Sequence, residues 1–273
     1  RLHHHDSPWV SPNIFGKAPN ADTQQPSPAS LKQLDLWIKY LKDEGIYVWL
    51  DMHVERAFTA RDNIYGFEEL PKDEHGNAGL KGYNYVNITI QQAMKRFAEQ
   101  YLTHVNPYTG LAYKDDPAIA AILITNENDI TQHYGNALMP DKKVPEHTER
   151  YREQSDAFAK RNDLPADRTW RAWEHGPSKL FLNDLERQFN VDMIAHQRSR
   201  FTPAWRGRIN RGSAGLLAGS RSSVSRRRRS MLSGWSSPAP SCCSRASTST
   251  PPASLATPSI CGSMGANACS APR

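Results

Sequence analysis

The feature that most constrains the fold is a break in composition near residue 200. Residues 201–273 contain no Asp, Glu, Lys, His, Tyr or Gln, but hold 10 Arg, 17 Ser and all four Cys. That segment carries +10, which leaves −4 of the chain's net +6 to residues 1–200. A segment this poor in large apolar residues cannot bury enough surface to offset the entropy of ordering. Core-forming sequence is therefore confined to residues 1–200, with a low-complexity tail at 201–273. The four-Arg run Arg226 to Arg229 fits a polyanion patch or an address signal, and the general composition fits a disordered tail. Arg without Lys or any acid fits a GC-rich gene read out of frame better than either. We expect no nucleic-acid partner, because a basic binding segment usually mixes Lys with Arg and interleaves aromatics.

Other classes fall away on simple counts. Cys242 and Cys243 are adjacent, Cys261 and Cys269 lie far off, and no C-x-x-C pair exists, so zinc spacing is absent. No apolar run reaches the roughly 18 residues of a membrane helix, and no membrane partner is expected. No signal-peptide pattern opens the chain, and Arg1 starts in mid-pattern, as if a segment preceded it.

Within residues 1–200 the hydrophobic spacing alternates between helix and strand. Ser30 and Gln33 have the spacing of a capping box. Leu31, Leu34, Ile38 and Leu41 share a helical face, and Gly45 suits a helix end. Ile46 to Leu50 is a continuous apolar run that reads as a doubly buried parallel strand, with Trp49 in the core. A second helix is expected from about Thr89, with a stripe from Ile90 to Val105, and a second buried strand over Ile119 to Ile124. Further helices are expected over about 146–161 and 178–198. With residues 1–10 as a strand end, this is a βαβαβ series, the pattern of an α/β fold with parallel strands.

Polar residues gather where such strands end, the position at which α/β folds collect function. Asn126-Glu127 follows the second strand. A carboxylic acid can protonate a glycosidic oxygen, and a neighbouring amide can hold a sugar hydroxyl. A capping Asn beside a solvated Glu is the plainer alternative. Asp51 and His53 share a strand face and could contact a sugar or simply bond each other. Arg1, His3 and His5 would face one way on a regular strand. Arg can orient a carboxylate, and His3-x-His5 is also the spacing of two metal ligands, which Asp51 or His53 could complete. Trp9, Trp170 and Trp173 lie in loops, where an aromatic face can stack on a sugar ring.

Taken in order, Arg1, Asp51-Met52-His53 in VWLDMH and Asn126-Glu127 in ILITNEND resemble the pattern of glycoside hydrolase clan A, family 5-like barrels of the cellulase type. The resemblance covers about residues 1–200. It implies a partial TIM (β/α)8 barrel made of strands two to four, hydrolysis of a β-linked saccharide by a retaining mechanism, and no cofactor or catalytic metal. Carried over residue by residue, it makes Glu127 the acid/base and Asn126 the ligand of the sugar 2-hydroxyl. Arg1, His5, Asp51, His53, Trp9 and Trp170 become its supporting and substrate-binding residues. The family also needs a nucleophile Glu further on, and residues 201–273 offer no carboxylate side chain. The chain as written is therefore expected to be inactive by that mechanism. Two other readings stand beside it: a metal-dependent hydrolase of the amidohydrolase kind, and a carbohydrate-binding protein without catalysis.

Overall fold

The computed structural model describes residues 1–16, 22–170 and 175–200. The tail reading for 201–273 and the position of Trp173 lie outside those residues. Four long helices carry most of the described chain: α1 (Pro28–Asp43), α2 (Ile88–Thr103), α3 (Pro145–Asn162) and α4 (Pro177–Arg200). Their stripes follow the expected spacing. Leu34 and Ile38 of α1, the Ile90 to Leu102 stripe of α2, and Phe181, Leu185, Phe189 and Met193 of α4 are all buried.

The helix starts differ from the expected capping. Ser27, not Ser30, is the N-cap of α1, with Pro28 in the first turn, where a missing N–H costs nothing. The Ser30 hydroxyl instead donates to the Asn13 carbonyl at 2.6 Å. At α2 the cap is Asn87, whose Oδ1 accepts the Thr89 and Ile90 amides, the usual work of an N-cap amide. Gly45, at φ 70°, does follow α1 as expected.

The strands do not make a barrel segment. β1 (Val48–His53) pairs in parallel with β6 (Ile119–Thr125) across α2, and that sheet has two strands. Residue 2 adds only an isolated bridge to Leu50. The remaining strands form two short antiparallel pairs, β2 (Ala57–Phe58) with β3 (Ala78–Gly79), and β4 (Val105–Asn106) with β5 (Leu111–Ala112). Among the described residues there are thus three separate two-stranded sheets, none of them closed or curled. A barrel exists only when the ladder returns to its first strand with consistent tilt and stagger. The partial TIM-barrel reading is therefore corrected to a mixed α/β fold with one parallel β-α-β unit.

The β1 reading is corrected as well. Val48, Leu50 and Met52 are buried, whereas Ile46 and Tyr47 are exposed and Trp49 is 46% exposed. The strand is buried on one face over its first half, and Trp49 is not a core residue. The buried face meets Ile38, Phe97, Tyr101, Tyr113 and Ile119 in one hydrophobic cluster. A second cluster joins the 58–94 segment to α3 and α4.

Buried polar groups tie these layers together. Asp35 of α1 accepts the Tyr113 hydroxyl at 2.7 Å and the His104 Nε2 at 2.9 Å, fixing α1 to the β4–β5 hairpin. The 54–87 excursion is held by Glu69, which accepts the Glu146 and His147 amides and pairs with His147 Nδ1. His147 Nε2 in turn contacts Asn87 Nδ2 at 2.8 Å. No described helix is long and apolar enough to cross a membrane.

Candidate functional site

The carboxyl ends of β1 and β6 lie side by side, because His53 pairs with Thr125 and the Asn126 amide donates to the His53 carbonyl. Parallel pairing brings residues 72 positions apart in sequence to one rim. Arg1 spans it. Its Nε donates to Asp51 Oδ2 at 2.7 Å and its Nη2 to Asn126 Oδ1 at 2.6 Å. His3 Nδ1 bonds the same Asp51 oxygen. Asp51 is fully buried, so a guanidinium and an imidazole converge on a carboxylate sealed from water, an arrangement that fixes the Arg fork in one orientation.

Trp9 stands on this rim, 64% exposed. Its indole N–H donates to Glu55 Oε2 at 3.0 Å and its ring lies 4.6 Å from that of His4. Lys81 reaches Glu55 at 3.9 Å and lies over the Tyr134 ring. Burial and the neighbouring His3 hold the His4 pKa below its usual value, and Glu55 and Glu127 stand close enough to oppose that shift. Trp9 also borders an open cleft of about 340 Å³ lined in part by Asn13, Thr59 and Asn77.

Glu127 is exposed at the turn after β6 and takes left-handed backbone, φ 47°, a conformation uncommon outside Gly and Asn. The next residue, Asn128, is buried and pins the floor of the rim. Its Oδ1 accepts the Gly82 amide at 2.9 Å, its Nδ2 donates to Asn84, and its carbonyl accepts the Tyr85 hydroxyl.

Three of the expected residues sit elsewhere. His4 has left-handed backbone, φ 60°, so the strand-like alternation ends after His3. His5 then turns inward and stacks on Tyr101 at 5.4 Å, with both ring nitrogens sealed and without hydrogen-bond partners. His53 is 1% exposed and packs on Phe97 at 5.2 Å. Burial moves both pKa values down, that of His5 to about 4. Both are core imidazoles held neutral. Trp170 is half-buried against the second cluster, with the Arg152 guanidinium over its ring.

No protein-family model, curated protein or solved structure matches this chain.

That result and the open sheets together overturn the glycoside hydrolase resemblance, and with it the cellulase-like and glycosidase assignment. The amidohydrolase alternative falls separately, since no group of three or more His, Cys, Asp or Glu among the described residues is arranged to hold a metal ion. The chain is not assigned an enzymatic activity. Sequence reasoning had brought Arg1, Asp51, Asn126, Glu127 and Trp9 to one end of the strands. It missed His4, Glu55, Lys81 and Asn128. Asn128 and His4 left a signal, the one following Asn126-Glu127 and the other standing between His3 and His5.

Proposed function

We propose that the rim binds a neutral polyhydroxylated ligand, a saccharide, and does not transform it. The observation that carries the reading is the exposed Trp9 face set beside hydrogen-bonding groups of both kinds. An aromatic held by its own N–H to Glu55 is a rigid platform that loses little entropy when covered. Around it, Arg1 and Lys81 donate while Asn126 and Glu55 accept. Hydroxyls do both, so a sugar ring can use all of them while its apolar face covers the indole. A few placed polar groups around an apolar contact is the general makeup of small-ligand sites.

Calorimetric titration of the full chain with a β-linked glucan tetrasaccharide tests this, with sorbitol as a control that offers hydroxyls without a ring face. Saturable heat with the tetrasaccharide alone is expected. Trp9→Ala should weaken it about tenfold or more, equivalent to about 1.4 kcal/mol. Glu127→Gln should leave it nearly unchanged, and the sugar should be recovered intact. Absence of saturable heat, or affinity indifferent to Trp9→Ala, overturns the reading.

A further inference from the structure

The second strand of the parallel sheet has an edge that nothing in the described chain uses. β6 pairs with β1 on one side, and no strand lies on its other side among the described residues. Its sequence is IAAILIT, seven residues with three Ile, one Thr and no charge, Pro or Gly. Natural edge strands are blunted by Lys, Pro, bulges or short length. β6 has no Lys or Pro, and its one bulge, at Ala120, lies near its start, which leaves Ala121 to Thr125 in regular register. Val48, Leu50, Met52, Ile122 and Ile124 turn toward the hydrophobic clusters. Trp49, Ala121 and Leu123 share the opposite face, as their register requires, and belong to neither cluster.

We propose that this edge is a self-association surface, and that its occupant is a second copy of β6 laid antiparallel across a two-fold axis. The inference is independent of the saccharide reading. Three features select a second copy. A run without charge laid on itself places no like charges opposite one another, the main penalty in cross-strand pairs, whereas a partner strand bearing charge would leave that charge uncompensated against seven neutral residues. A two-fold axis uses the same patch twice and so closes after two chains instead of growing into a fibre. The five residues beyond the bulge span about 17 Å at roughly 3.3 Å per residue, long enough for a continuous ladder, and the exposed Trp49 and half-buried Leu123 would extend the contact beyond the backbone.

Sedimentation equilibrium of the full chain over a hundredfold range of concentration, with backbone amide exchange at Ile122, Leu123 and Ile124, tests it. A monomer–dimer equilibrium is expected, with the amides among them that face away from β1 becoming protected as dimer forms. Leu123 belongs to neither hydrophobic cluster, so a charge there spares the core. Leu123→Lys and Leu123→Glu should each weaken the dimer about tenfold, because symmetry brings two like charges within about 8 Å. An equimolar mixture of the two should recover the parent affinity. A monomer at all concentrations overturns the proposal. Protection, in that monomer, of the β6 amides that face away from β1 would show that another part of the same chain covers the edge. A dimer that neither substitution weakens, or that the mixture does not restore, also overturns it.

Discussion

Replacing Arg56 by Ala is expected to cost about 3–5 kcal/mol, the usual penalty for breaking a buried charge network by removing one partner. Arg56 is the largest fully buried side chain in the described structure. Its Nε donates to the Thr23 hydroxyl at 3.0 Å, its Nη1 to the Ala93 carbonyl at 3.2 Å and its Nη2 to the Thr23 carbonyl. The Phe15 and Phe58 rings lie on the guanidinium at 4.7 and 4.6 Å, a contact strengthened by the absence of water. Burial lowers its pKa to about 10, against the opposing charges of Asp62 and Asp6, so it remains charged at neutral pH. Truncation would remove the three hydrogen bonds, leave a cavity between the two rings, and strand the Asp62 charge beside them. A domain stable by about 5–15 kcal/mol would lose a large part of its margin. Arg56→Lys keeps the charge but not the fork and should fall between parent and Ala. Urea unfolding checks both, and a shift below about 1 kcal/mol for Arg56→Ala would show that the site collapses around the loss.

The second large effect concerns acid. His5, its pKa lowered to about 4 by burial, stays neutral in the folded chain, while the unfolded chain takes up a proton below about 6.5. Its contribution to stability is therefore complete above pH 6.5 and is lost as the pH falls toward 4. His53, shifted in the same direction by burial, adds to that loss. Asp6 works in the other sense. Burial raises its pKa to about 6, against the hydrogen bonds from the Val54 and Glu55 amides and the Arg56 charge. It binds a proton in the folded chain before it does in the unfolded one, so its contribution is complete below about 3.8 and is lost as the pH rises through 6. Between pH 4 and 6 the carboxyl thus offsets part of the imidazole loss. Asp6→Asn removes the offset. Going from pH 7 to 4.5, the variant should lose about 2 kcal/mol more than the parent, the equivalent of the 1.5 pH units over which Asp6 titrates. Unfolding midpoints at the two pH values with unchanged slope test this, and equal losses in parent and variant would refute it.

The sequence was most legible where periodicity repeated. The i+4 spacing of α4 corresponds to buried residues one for one, and the α2 stripe does so as far as Leu102, whereas Val105 lies beyond the helix and is exposed. Caps were less legible because two competitors stood within three residues of each helix start. Pro28 placed the first turn ahead of Ser30, and Asn87 caps the second helix ahead of the start expected at Thr89. The run from Ile46 to Leu50 misled because a run of uniformly apolar residues has no alternation, so nothing in it distinguishes Val48 inside from Tyr47 and Trp49 outside. At the rim, Arg1, Asp51 and Asn126 could be brought together from strand ends alone, since one parallel pair suffices. His5 and His53 could not, because their burial depends on the Phe97–Tyr101 stack supplied by another element. Arg56 gave no sign at all. It is a single Arg in a loop, and only the folded chain shows three phenylalanines gathered about it. Barrel closure is the most remote property of this kind. Local βα spacing is compatible with it and does not produce it.

The Glu69–His147–Asn87 chain also orders the assembly of the molecule in time. Glu69 and His147 are 78 residues apart and Asn87 and His147 are 60 apart, so these bonds return nothing until two long loops have closed. The α2 and α3 helices, built from local contacts, need not wait for them. The 54–87 excursion, which carries Asn84 and Tyr85 beneath Asn128, is therefore expected to dock late, and the floor of the rim with it, which low φ-values at Tyr85 beside higher ones in α2 would check.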